Sequence, residues 1–385
     1  MTQPPPPGPW GAQPPQQPGN WPAYPGGQQG PGPQGQWNPQ QQWPNPGPAP
    51  RKRGPLKWIL GAVALIAVIA VTAVVSVSLV GGKDTDNGNS GGGQSSSSRS
   101  DIASANDTGP VSVITEDPSC APWNPIATTV ANVEKNGWDK LDDAIPASAW
   151  TPEMRTLYQS VGEALKNAAN EAVPLTKLTT HRVMRELYSQ YIAYIRYYAD
   201  RIPEYVAAEN EAIRVGSTVG DVITAICQAM TLGAAASRAP FVPPGAAPEH
   251  VAPAGDTQNP TRFLTAADHQ CADWQRTVDQ LNADPAYSAW NKEDPSIPAS
   301  SWSPQYKSEN IAVMPVLLNS VDTYEKLASQ SGNPIIQDFS TLAAQYGRAF
   351  IKAISTYTPP DTNLYDVFRK IPAVIITACK AAGHS

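Results

Sequence analysis

Neither acidic nor basic side chains occur in the first 50 of the 385 residues. That stretch is mostly Pro, Gln and Gly with a few Trp and Asn. It has too little apolar area to offset the entropy of ordering, so residues 1–55 are expected to be a disordered tail. Histidine is scarce, and His181, His250, His269 and His384 form no ligand spacing. The chain has no C-x-x-C, no His-Glu-x-x-His, no Gly-x-Ser-x-Gly and no P-loop, so no catalytic, cofactor or metal residue is expected. Stretches of period-two alternation are short and rare, which argues against a sheet. Positive charge is also lacking over most of the chain. The first 57 residues hold four basic side chains and no acidic one, and the whole chain carries −6, so residues 58–385 carry −6 − 4 = −10. An acidic outer part excludes nucleic acid as its partner, because phosphate binding rests on Lys and Arg.

What is there begins with an apolar run. From Trp58 to Val80 no residue is charged, and Ile, Leu, Val and Ala dominate. About 20 apolar residues cross a hydrocarbon core at the helical rise, so residues 56–80 are expected to span a membrane. Arg51, Lys52, Arg53 and Lys57 precede the run, whereas Lys83 is followed by Asp84 and Asp86. This bias keeps the N-terminus in the cytoplasm and sends the rest outside. A cleaved signal peptide fits poorly: no Ala-x-Ala site follows, and the charged region would begin after a long tail. Residues 81–118 are rich in Gly, Ser and Asp and read as a flexible tether.

Beyond the tether the chain repeats itself. Cys120-Ala121-Pro122-Trp123 is matched by Cys271-Ala272-Asp273-Trp274, and Ile-Pro-Ala-Ser-x-Trp-x-Pro occurs at Ile145 to Pro152 and at Ile297 to Pro304. Further on, Gln190-Tyr191 pairs with Gln345-Tyr346, and Tyr194-Ile195-Arg196 with Phe350-Ile351-Lys352. Each copy closes on a cysteine, at Cys227 and Cys379. Four cysteines allow three connectivities. The repeat selects Cys120–Cys227 and Cys271–Cys379, bonds that an oxidising exterior favours.

The local patterns are helical. Thr151-Pro152 and Ser303-Pro304 read as an N-cap followed by proline in the first turn. Met184, Tyr188, Tyr191, Ile195, Tyr198, Ile202 and Tyr205 line one face at spacings of four and three. The expected helices are 125–141, 152–171, 180–202 and 211–230 in the first copy. In the second they are 272–283, 304–330, 334–356 and 363–381, with Pro372 kinking or breaking the last. The fold is therefore expected to be all-α. Two tandem disulfide-closed helical domains, residues 119–233 and 258–385, are joined by a stiff Pro/Ala-rich linker at residues 234–257. Tyr194 and Tyr197 lie off the main stripe and form the candidate ligand surface, with core packing the competing reading. Trp123, Trp150, Trp274 and Trp302 read as structural, and Glu134, Asp142, Asp143 and Glu186 as solvated helix faces.

A Pro/Gln/Gly/Trp tail, a basic stop, one apolar helix, a Ser/Gly tether and a cysteine-containing outer part resemble the proline-rich conserved single-pass membrane proteins of mycobacteria and related actinobacteria. The resemblance implies a plasma-membrane protein whose C-terminal domains face the cell wall, and it supplies no site residues. The expected function is non-enzymatic: the duplicated domains bind an envelope protein or polymer, and the tail, with Trp10, Trp21, Trp37 and Trp43, meets a cytoplasmic partner. One alternative is a scaffold acting through that Trp/Pro tail. Another is an envelope hydrolase, which requires a polar pocket with a carboxylate of raised pKa.

Overall fold

The computed structural model of the chain describes residues 101–383 apart from Asn136 and Ala267. The tail, the apolar run at 56–80 and the first part of the tether lie outside the described residues, as does His384. Among the described residues every regular element is helical. The first copy comprises α1 (Cys120–Glu134), α2 (Pro152–Leu178), α3 (Arg182–Arg201) and α4 (Asn210–Thr231). A short α5 (Ala234–Arg238) follows. The second copy comprises α6 (Cys271–Ala283), α7 (Pro285–Trp290), α8 (Pro304–Gln330), α9 (Pro334–Ala353) and α10 (Thr362–Gly383).

The starts of these helices follow from local chemistry. The Thr151 hydroxyl accepts the Met154 amide at 3.2 Å and the Ser303 hydroxyl accepts the Tyr306 amide at 3.0 Å, with proline next in each case. The repeated Ile-Pro-Ala-Ser-x-Trp segment leads into each cap. Trp150 Nε1 donates to the Ile145 carbonyl and Trp302 Nε1 to the Ile297 carbonyl, both at 2.8 Å, so each indole closes its own loop. Helix α1 starts five residues earlier than expected (125 − 120 = 5) and ends before Gly137, whose φ of 106° turns the chain away. Helix α10 runs unbroken through Pro372. Ile371, Val374, Ile375 and Ala378 are all fully buried around that proline, and their burial offsets the hydrogen bond it removes.

The two copies share a register. Helices α2 and α8 both have 27 residues, α3 and α9 both 20, and α4 and α10 both 22. Their starts differ by one constant (304 − 152 = 152, 334 − 182 = 152, 362 − 210 = 152). At this register Tyr194 corresponds to Tyr346, Tyr198 to Phe350 and Tyr205 to Tyr357. The sequence pairing of Gln190-Tyr191 with Gln345-Tyr346 is therefore one helical turn out. A slip of three or four residues leaves the apolar stripe facing the same way, so periodicity alone tolerates it.

The described residues belong to one compact unit, where the sequence reading separates two domains by a linker. Helix α3 packs between α2 and α4, α9 packs between α8 and α10, and the corresponding helices α4 and α10 meet directly. The expected linker at residues 234–257 and the described end of the tether, residues 101–118, are built into this unit. In residues 234–257, Arg238 forms a pair of hydrogen bonds with Asp361 at 3.0 and 2.9 Å, and Val242 and Ala252 are buried. Residues 101–118 also pack as an arm, with Val111, Val113 and Ile114 buried. The arm before each copy reaches the other copy's tyrosine. Ile114 N donates to Tyr346 Oη at 3.3 Å, and Tyr194 Oη donates to the Leu264 carbonyl at 3.3 Å. The disulfides are those expected: Cys120–Cys227 and Cys271–Cys379, with Cα atoms 5.3 and 5.8 Å apart. Each fastens the first helix of a copy to its last.

Candidate functional site

Corresponding positions in the two copies form an aromatic wall with nearly the same geometry. Trp150 and Tyr205 have ring centroids 5.5 Å apart at 27°, and Trp302 and Tyr357 have theirs 5.6 Å apart at 24°. Each tyrosine is fixed at both ends. Tyr205 Oη donates to the Asp143 carbonyl at 2.7 Å and Tyr357 Oη to the Pro295 carbonyl at 2.6 Å. The backbone carbonyls of the same two tyrosines accept Ala147 N and Ala299 N, both at 2.9 Å.

The copies differ in what stands against this wall. In the first, Tyr158 of α2 lies flat on Trp150, centroids 3.8 Å apart at 11°, and reaches Tyr205 at 5.4 Å. In the second, the same position of α8 holds Asn310, one residue type too small to fill the slot. Its amide is engaged at both ends, accepting Trp290 Nε1 at 3.0 Å and donating to the Tyr306 carbonyl at 2.8 Å. The aromatic ring has moved one turn along α8 to Tyr306, which rests on Trp302 at 4.8 Å and 41°. A cavity of about 220 Å³ results, lined by Trp290, Trp302, Tyr306, Asn310, Phe350, Tyr357 and Tyr365 among others. Phe350 takes the place of Tyr198 and packs against Trp290 at 5.8 Å.

The cavity walls are aromatic and the rim is charged. Glu293, Asp366 and Arg369 contribute to the lining, and Arg369 pairs with Asp366 at 2.6 Å. Partial desolvation and hydrogen-bond contact with Glu309 push the Glu293 carboxyl up from its ordinary range. Burial likewise pushes the Tyr357 hydroxyl up, to about 12, so it stays protonated and available for hydrogen bonding at neutral pH. The lining offers stacking faces, hydroxyls and two amides, Asn291 and Asn310, but no His or Cys. Flat aromatic faces with polar groups at their edges suit contact with a ring.

The residues singled out from the sequence fall elsewhere. Tyr194 is fully buried against Phe263 at 6.0 Å, so it belongs to the core and not to a ligand surface. The next turn of the interior covers it because the arm before the second copy crosses α3 there. Tyr197 is half-buried, and the guanidinium groups of Arg262 and Arg201 lie 3.8 and 4.3 Å from its ring centre. Trp123 and Trp274 are core residues, Trp123 donating to Thr224 Oγ1 at 2.9 Å. His181 Nε2 lies 3.0 Å from the Glu116 carbonyl, and His250 and His269 are exposed.

Glu186 is a correction of another kind, since it is 4% exposed and not a solvated face. Its counterpart by register is Asp338, 3% exposed, and the two corresponding helices bring these acids together between the copies. Asp338 is held by Arg182, whose Nε and Nη2 donate to its two oxygens at 2.6 and 2.9 Å. Arg182 Nη1 also donates to the Asp107 and Gly109 carbonyls at 2.8 and 3.2 Å. No donor faces Glu186. Burial, then the Asp338 charge, pushes its carboxyl well above the usual carboxylate range. Two acids in such contact hold together through a proton, which Glu186 keeps. The cluster locks the copies together and opens onto no large cavity.

The described residues form an all-helical unit stapled by two disulfides, with one aromatic-walled cavity in the second copy. Residues 102–383 match the model of the Mycobacterial ESX-1 associated protein family, and the chain belongs to that family. It is 42% identical over 346 residues to an uncharacterized protein of Mycolicibacterium smegmatis (strain MKD8), covering 90% of this chain and 91% of that protein. No solved structure matches the chain.

Proposed function

We propose that this chain is a non-enzymatic protein of the mycobacterial cell envelope that serves the ESX-1 secretion system by holding a partner polypeptide at its second-copy cavity. The observation that carries the reading is the aromatic cavity itself, opened in one copy at the position where the other copy is filled. Membership of an ESX-1 associated family supports the link to that system. The uncharged run from Trp58 to Val80, with basic residues before it, supports a single-pass anchor with its N-terminus inside. Two closed disulfides support an oxidising compartment for the helical part.

A hydrolytic reading has one observation in its favour, the raised Glu293 carboxyl beside the cavity. Its geometry counts against it. Glu293 and Glu309 are in hydrogen-bond contact, whereas paired carboxylates in glycoside hydrolases stand about 5–5.5 Å or about 6.5–9.5 Å apart.

The test places a photo-crosslinking amino acid at Asn291, an exposed residue on the cavity rim, in the full-length chain expressed in mycobacterial cells. The expected adduct is with a component or substrate of the ESX-1 system, and it persists when residues 1–50 are deleted. Loss of every adduct at Asn291, with partners that co-purify only through residues 1–50, overturns the reading in favour of a scaffold acting through its tail.

A further inference from the structure

We infer that the second-copy cavity takes the aromatic side chain of a partner polypeptide, a phenol in preference to a plain phenyl ring. The inference rests on the binding reading above and specifies its ligand. The first copy carries its own answer to what fits this wall. Tyr158 stacks flat on Trp150, with its ring centre 5.4 Å from that of Tyr205. The wall of Trp302 and Tyr357 repeats the Trp150–Tyr205 arrangement to within 0.1 Å and 3° (5.6 − 5.5 and 27 − 24). Asn310 leaves the ring's place open at the corresponding position. A ring arriving from outside therefore meets the Trp302–Tyr357 wall with Tyr306 already resting on Trp302, at the place that Tyr158 fills in the first copy.

Size and polarity point the same way. A cavity of about 220 Å³ lies below the roughly 300–1,000 Å³ of pockets that bury whole drug-sized ligands, and suits one large side chain. A bound phenol finds the Tyr357 hydroxyl, whose own proton is committed to the Pro295 carbonyl, and the neighbouring Thr362 hydroxyl. Those two hydroxyls already contact each other, and a phenol can join them where a phenyl ring cannot. The acidic rim of Glu293 and Asp366, offset only by Arg369, favours a basic residue beside the aromatic one.

The experiment uses the full-length chain in detergent micelles. Saturation-transfer NMR compares the capped tripeptides acetyl-Gly-Tyr-Gly-amide, acetyl-Gly-Phe-Gly-amide and acetyl-Gly-Leu-Gly-amide. The Tyr peptide is expected to bind through its ring protons, with the Leu peptide about tenfold weaker and the Phe peptide between them. Asn310→Tyr, which copies the filled slot, is expected to abolish binding, whereas Tyr158→Phe leaves it unchanged. Equal binding of Tyr and Leu peptides, or undiminished binding by folded Asn310→Tyr, overturns the inference. Should Asn310→Tyr fail to fold, photolabelling of the unmutated chain decides. The tripeptide with p-benzoylphenylalanine at its centre is expected to label segments 285–310 or 350–369, in competition with the Tyr peptide. Labelling that spares both segments overturns the inference. If crosslinking at Asn291 still captures its partner in that case, the ligand class falls and the binding reading stands; if both fail, both fall.

Discussion

The two copies place the same Trp–Tyr wall on the same scaffold, yet one wall is covered by the chain's own Tyr158 and the other faces a cavity. The difference comes down to neighbouring turns of one helix, where Met154 and Tyr158 in α2 stand against Tyr306 and Asn310 in α8. Moving a ring by one turn keeps the helix amphipathic and the wall intact, while the tilted Tyr306 leaves a cavity beside it. A duplicated fold can thus fill a position in one copy and leave a cavity at the same position of the other through two exchanges of residue. The same asymmetry runs through the interface between the copies. Glu186 and Asp338 occupy corresponding positions, but Arg182 has Pro334 as its counterpart, so only one of the two acids receives a guanidinium.

The largest expected effect tests that interface. Asp338→Ala leaves Arg182 buried without its carboxylate and is expected to cost about 3–5 kcal/mol, read as a lower urea midpoint at unchanged m-value. A loss under 1 kcal/mol means the copies do not depend on this pair. Next comes the filled slot against the open one. Tyr158→Ala removes a buried stacked ring and is expected to cost about 3–5 kcal/mol. Asn310→Ala, at the corresponding position, loses the hydrogen bonds to Trp290 and to the Tyr306 carbonyl and costs about 1–3 kcal/mol. Equal losses at the two positions contradict the division of labour between the copies.

The disulfides close loops of nearly equal span, 107 and 108 residues apart in sequence. Each Cys-to-Ser pair is therefore expected to cost about 2–5 kcal/mol, and the same amount in either copy. A large inequality in thermal denaturation reports strain or residual structure that the loop length does not contain. The smallest effect is one of pH. Glu186 keeps its proton in the folded state, whereas the unfolded chain releases it above the ordinary value of 4.5. The unfolded state thus binds fewer protons above that value. This contribution is fully present below about pH 4.5 and declines as pH rises toward the folded-state value, by up to about 1.4 kcal/mol per pH unit. Glu186→Gln keeps a donor facing Asp338 without a titrating proton. Stability measured from pH 5 to 7 should lose that slope, and an unchanged slope would assign the proton elsewhere.

Much of this architecture is legible in the residues. The Thr-Pro and Ser-Pro caps, the three-four spacing of the tyrosines and the matched cysteines specify helices and bonds that local geometry can satisfy alone. Helix ends were less legible, because Pro174, Pro315 and Pro372 lie inside helices that tertiary burial holds together. The candidate site was missed for a different reason. Tyr194 and Tyr197 drew attention by leaving the apolar stripe, but the stripe marks only one packing surface. Helix α3 is covered by α2 on one side, α4 on another and the residues around Leu264 on a third. A comparison of the copies at constant spacing would have exposed the exchange of Tyr158 for Asn310.

The sequence by itself determined the helical class, the duplication and the pairing of all four cysteines, because capping, periodicity and repeat spacing act over short stretches or along the chain. Only the tertiary structure decided that the copies form one unit, that Glu186 is buried opposite Asp338, and that the slot beside Trp302 is open. Those outcomes depend on which faces of distant helices meet and on whether one side chain fills the space between them, and neither is encoded in the period of a single helix.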